Sequence, residues 1–145
     1  MSIVGPWLPE ARVLDLFAGS GALGIEALSR GAVSADFVES SPRSLAAIGQ
    51  NLDSVGVGNA ARVHRSDALA FVAGLDPHAF DVAFADPPYD KGLSAGLAEA
   101  WLASPFADLL GIEHRAFEKM PGSPERRKYG GTALSFYRVS DVAGV

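Results

Sequence analysis

The chain has 145 residues, 48% of them hydrophobic and 20% charged, with a net charge of −5 and no cysteine. A single domain over residues 1–145 is expected, since a chain of this size buries roughly two thirds of its unfolded surface without disulfides or metals. The composition excludes disulfide frameworks and thiolate metal sites, membrane spans of about eighteen apolar residues, and whole-surface attraction to phosphate backbones. A cytoplasmic protein is expected, because no basic and apolar leader opens the sequence, and any nucleic acid must be met by a local patch.

Strand and helix signals alternate from the start. "ARVLDLF", Ala11 to Phe17, is a short apolar run closed by Gly19 and Gly21, which predicts a buried strand and a tight loop. "ALGIEALSRG" predicts a helix with Arg30 in its last turn and Gly31 as its cap. "VSADFVE" predicts a second strand ending at Glu39, after which Ser41 caps and Pro42 starts a helix broken by Gly56 and Gly58. A third strand, "ARVHR", leads to a short helix behind Asp67, and "FDVAFA", Phe80 to Ala85, is a fourth strand. Beyond it, "LSAGLAEAWLA" is helical, "LLGIEHRAF" is strand-like, and "RRKYGGTALSFYRV" predicts an antiparallel hairpin around Gly130 and Gly131. This repetition implies an α/β fold with a parallel sheet, helices on both faces, and a ligand at the carboxyl ends of the strands.

The loop after the first strand, "DLFAGSGALG", carries a G-x-G-x-x-G pattern at Gly19, Gly21 and Gly24, with Glu39 twenty residues beyond Gly19. Glycines there let a ligand approach the backbone, and an acid at that distance suits ribose hydroxyls. A dinucleotide and S-adenosylmethionine both use this geometry, and Asp15 separates them. Its carboxylate is expected to point into the cleft, where two like charges about 4 Å apart cost on the order of 4 kcal/mol at an effective dielectric near 20. A pyrophosphate is opposed and a sulfonium is favoured. Asp67, after the third strand, is either a further acceptor for an adenine amine or an ordinary helix cap.

Asp86, Pro87, Pro88 and Tyr89 follow the fourth strand, which is expected beside the first. The prolines fix φ and carry no N–H, so this corner presents carbonyls and the Asp86 carboxylate as acceptors. An exocyclic amine donating to Asp86 and to the Pro87 carbonyl can aim its lone pair at a methyl group, while Tyr89 offers a face for stacking. Read alone, "DPPY" is equally a stiff turn.

Taken together, "VLDLFAGSGALGIEALSRGA", "FVE", "SDA", "FDVAFADPPYDKG", "EHR" and "RRKYGGTALSFYR" resemble the RsmD-type bacterial small-subunit ribosomal RNA (guanine-N2)-methyltransferases over almost the whole chain. The resemblance implies a Rossmann-like class I methyltransferase fold with a mostly parallel seven-stranded sheet and a C-terminal antiparallel hairpin. It implies S-adenosylmethionine as donor, S-adenosylhomocysteine as product, no metal, and guanine N2 in 16S ribosomal RNA as acceptor, naked or in the assembling small subunit. Carried over by position, Asp15, Phe17, Gly19, Gly21, Glu39, Ser40, Asp67 and Ala68 surround the donor, and Asp86 to Tyr89 hold the base. Family members usually carry a further basic segment before the first strand, where this chain begins "MSIVGPWLPEAR". A monomer with no membrane contact is expected. The alternatives are a DNA amino-methyltransferase acting on adenine N6 or cytosine N4, and a donor-binding core without turnover of its own.

Other residues carry less. His64, His78 and His114 lack metal-ligand spacing and are expected on the surface or in packing. Trp101 is expected in the core, Trp7 exposed or poorly ordered, and the cluster Arg126, Arg127, Lys128 and Tyr129 either meets phosphates or forms a solvated hairpin.

Overall fold

The computed structural model describes residues 3–89 and 91–141; Asp90, after the D-P-P-Y corner, lies outside them. Strand β1 (Arg12–Leu16) is the hub, paired in parallel with β2 (Ser34–Glu39) on one side and β4 (Phe80–Ala85) on the other. Strand β3 (Ala61–Arg65) extends the sheet beyond β2, and β5 (Ala107–Arg115) extends it beyond β4, both in parallel. Two further strands, β6 (Glu125–Tyr129) and β7 (Thr132–Arg138), close it antiparallel, giving the order β3-β2-β1-β4-β5-β7-β6. The fold is the expected Rossmann-like, mostly parallel seven-stranded sheet, with the predicted C-terminal hairpin in place.

Local sequence sets the helix ends. Helix α1 (Ala22–Ser29) starts directly after the glycine loop, and α2 (Pro42–Val55) starts at Pro42 with the Ser41 hydroxyl accepting from Ser44 N. Gly56 ends α2 at φ 65°, a left-handed turn that costs a glycine little. Helix α3 (Ala68–Ala73) is capped by Asp67, whose Oδ2 accepts from Ala70 N at 2.9 Å, and α4 (Leu93–Ala103) follows Gly92. Among the described residues no helix is long and apolar enough to cross a membrane.

Side chains alternate along each strand, and both faces are covered along β2, β1, β4 and β5, which makes those parallel strands apolar almost throughout, whereas the edge strand β3 is largely exposed. Leu14, Ala83, Leu110 and Ile112 pack with Trp101, Leu97 and Tyr137 on the side of α3 and α4. Val13, Phe37, Val82, Phe84 and Leu109 pack with Ile48 and Ala27 on the side of α1 and α2. Trp101 is fully buried as expected, its Nε1 donating to Ala107 O at 2.8 Å. Trp7, expected to be exposed, is instead half-buried against the second core. The 3-10 turn Gly5–Trp7 folds back so that its neighbours Val4 and Leu8 are buried. His114, a packing residue, is fully buried and bonded to Ser135 Oγ at 2.7 Å.

The order of strands reverses between β1 and β4, so a crevice opens at their carboxyl ends. The segments leaving β1, β2 and β3 lie on one side of it, and those leaving β4 and β5 on the other.

Candidate active site

The turn out of β1 is built on left-handed backbone: Phe17 has φ 56°, Gly19 59° and Gly21 83°. A non-glycine residue there is uncommon, and Phe17 adopts it where it lines the crevice. Gly24 has a different reason to be glycine: a Cβ on it would lie 2.3 Å from Phe37 Cε1, so its absence lets α1 press onto β2. Gly19 and Gly21 shape the turn through their positive φ.

Three acids of this half are tied down by backbone N–H groups. Glu39 accepts from Gly19 N, Ser40 N and Ser41 N, each at 2.9 Å, which joins the end of β2 to the glycine turn. Asp67 accepts from Ala70 N while lining the crevice, so the cap and the lining role coincide in one residue. Ala68, behind it, is buried. Asp15 departs from expectation: it is 2% exposed, lies beneath the crevice rather than in its lining, and accepts from Gly24 N at 3.0 Å. The first turn of α1 takes the carboxylate, because its N–H groups lack partners within the helix. Burial pushes the Asp15 carboxyl up to about 7; the Gly24 N–H opposes the rise, and the charges of Glu39 and Asp86 add to it.

Across the crevice, Asp86, Pro87, Pro88 and Tyr89 leave β4. Pro87 is buried, Pro88 and Asp86 keep exposed edges, and Tyr89 is half-buried. Two residues that sequence reasoning missed complete this half. The pairing of Ala85 with Ile112 sets Glu113 one step further along β5, level with Asp86. Tyr89 Oη donates to Glu113 Oε2 at 3.3 Å, and the Arg115 guanidinium stands 4.4 Å from the Tyr89 ring centroid, a cation–π contact. Burial first, then the charge of Glu113 and a hydrogen bond with it, push Asp86 up to about 6. The available signal was "IEHR": charges at alternate positions closing an apolar strand, hence on one face.

The two halves face one cleft of about 630 Å³. Phe17, Glu39, Ser40 and Asp67 line it from one side and Asp86, Pro87, Pro88 and Tyr89 from the other, together with Ser41, Lys91, Leu93 and Glu113. Such a volume suits a ligand of cofactor size. The surplus of carboxylates gives it an electronegative interior suited to a cation.

Comparison with known proteins agrees with this architecture. The chain is 38% identical over 127 residues to ribosomal RNA small subunit methyltransferase D of Escherichia coli, covering 83% of this chain and 62% of that one. It therefore spans less than two thirds of that relative. The solved Escherichia coli protein yhhF superposes with a TM-score of 0.81 at 30% identity, over 94% of this chain and 80% of that chain. At fold level, an RNA methyltransferase from Salinibacter ruber in complex with S-adenosyl-L-homocysteine superposes with a TM-score of 0.71 at 14% identity, over 95% of this chain and 88% of that one. The family model described as conserved hypothetical protein 95 matches residues 1–138, and the chain belongs to that family.

Proposed function

We propose that this chain is a single-domain, cytoplasmic, monomeric methyltransferase that moves a methyl group from S-adenosylmethionine to the exocyclic N2 of a guanine in small-subunit ribosomal RNA. The observation that carries the reading is the meeting of two unlike sites in one cleft. An acid-rich glycine turn faces a rigid, oxygen-lined corner with an aromatic wall. The kinship with ribosomal RNA small subunit methyltransferase D supports the choice of RNA.

The residues present fit the donor. Glu39 lies in the lining with both oxygens already oriented by backbone donors, which suits it to ribose hydroxyls without reorganisation. Asp67 suits an adenine amine, and Phe17 gives the adenine an apolar edge. The mutual repulsion of Asp15, Glu39 and Asp86 is relieved by a positively charged ligand and aggravated by a pyrophosphate. When bound, S-adenosylmethionine would supply an electrophilic methyl on a sulfonium, the new N–C bond forming as the S–C bond breaks to give S-adenosylhomocysteine.

The chain's own work is positioning and proton management. Asp86 accepts one N–H of the guanine amine and the Pro87 carbonyl accepts the other, which frees the nitrogen lone pair from the ring. Tyr89 stacks on the base, worth about 1–3 kcal/mol, once the nucleotide has left its helix. Attack makes the amine cationic, and its surplus proton passes to Asp86 and then to water. An Asp86 carboxyl near 6 is mostly ionised at neutral pH, so it accepts at the start and still takes up a proton at the end.

The test is incubation with methyl-labelled donor and, in parallel, naked 16S RNA, assembled small subunits or DNA, alongside calorimetry of donor binding. Label in RNA or subunits supports the reading. Label in DNA overturns it, and donor binding with no label in any acceptor points to a core that binds without turnover.

A further inference from the structure

Resting on the guanine reading above, we propose that Glu113 is a specificity-determining residue that accepts the N1–H of the target guanine, beside Asp86, which takes the N2 amine. The register of β4 and β5 puts the two carboxylates side by side at neighbouring strand ends. Both line the 630 Å³ cleft, and both also line an adjoining, half-open apolar groove of about 200 Å³, walled by Val4, Leu23, Phe84, Leu134 and Phe136; they are the two residues common to both spaces. The pair therefore stands where the polar cleft meets an apolar groove. The bond from Tyr89 Oη fixes Glu113, and Arg115 over the ring fixes Tyr89.

Two adjacent acceptors read one kind of base edge. Guanine presents N1–H and N2–H2, donors side by side. Adenine and cytosine present an amine beside a ring nitrogen lone pair, which would face the second carboxylate and be repelled. Asp86 alone serves any exocyclic amine, whereas Asp86 with Glu113 serves guanine. A polar site left unpaired by the wrong base discriminates far more sharply than an apolar pocket does.

The experiment compares RNA carrying guanine with RNA carrying 2-aminopurine at the target position; the analogue keeps the reacting amine and lacks N1–H. Rates are measured with labelled donor, and affinities by competition in the presence of S-adenosylhomocysteine, for the wild-type chain and Glu113→Gln. Expected for the wild type is a preference for guanine on the order of 10- to 100-fold in rate and affinity. In Glu113→Gln, whose amide donates as well as accepts, that ratio moves toward one while donor affinity stays unchanged. Equal treatment of the two bases by the wild type, or a variant that slows on both with the ratio unmoved, overturns the role of Glu113. Label on adenine or cytosine instead of guanine overturns the guanine reading itself. If no turnover is detected, the affinity ratio alone decides the role of Glu113: a ratio near one overturns it, and a guanine preference lost in Glu113→Gln supports it.

Discussion

The two walls of the cleft hold their acids in opposite ways. On the glycine-turn side, Glu39, Asp67 and Asp15 are each satisfied by backbone N–H groups a few residues away or on the adjoining turn. On the D-P-P-Y side, Asp86 and Glu113 answer to each other and to Tyr89. The first wall is preorganised by backbone donors, as suits a site that holds a cationic ligand in one pose. The second is a pair of neighbouring carboxyls held by side chains, with Asp86 raised to about 6, as suits a site where an amine gains and loses a proton.

Substitutions should divide along this line. The largest effect is expected from Asp86→Ala, which removes the acceptor that orients the amine: methylation falls by about 10³-fold or more, on the scale of losing a preorganised electrostatic group. Donor affinity by calorimetry stays within about twofold. Equal loss of both would mean that the two walls are not separable.

Asp15 tests the first wall through stability. Its folded carboxyl is raised to about 7 from an unfolded value near 4, so the folded state binds the extra proton between them. The stability this carboxyl contributes is therefore fully present below about pH 4 and is lost as pH rises through about 7. Asp15→Asn keeps an oxygen for the Gly24 N–H and removes the charge. It should be more stable than the wild type at pH 8 by about 2–4 kcal/mol and show a flatter dependence in that window, by denaturant titration at several pH values. Some slope remains from Asp86, which is raised to about 6 and lies in the same window.

Gly24→Ala drives a methyl group into the fully buried Phe37 ring and should cost about 1–3 kcal/mol, with weaker donor binding as α1 is pushed off β2. Gly19→Ala meets open space but a φ of 59°, so it should cost about 1–2 kcal/mol from backbone strain alone. The smallest effect belongs to Tyr89→Phe. It keeps the stacking face and loses one hydrogen bond to Glu113, about 0.5–1.5 kcal/mol, so RNA KM should rise several-fold with donor affinity unmoved.

The contrast also explains what the amino-acid sequence could reveal. The first wall is local: Ser41 caps Ser44, Asp67 caps Ala70, and Glu39 bonds its next two residues, so short motifs carry its chemistry. Element order and type, including the closing hairpin, were legible for the same reason. Asp15 was visible as an acid at a strand end, but its burial depends on where α1 settles above it. Glu113 and Arg115 were not legible as site residues, because their meeting with Asp86 and Tyr89 depends on the register of two strands separated by the whole of α4. Trp7 fell short in the same way: its packing is decided by a turn that folds back onto strands read only later in the chain.

The most direct test is nucleoside mass analysis of 16S RNA after reaction with methyl-labelled donor, run with the wild-type chain and Asp86→Ala side by side. The account predicts labelled N2-methylguanosine from the wild type and none from the variant. Labelled N6-methyladenosine or N4-methylcytidine, or N2-methylguanosine from both proteins alike, would contradict it.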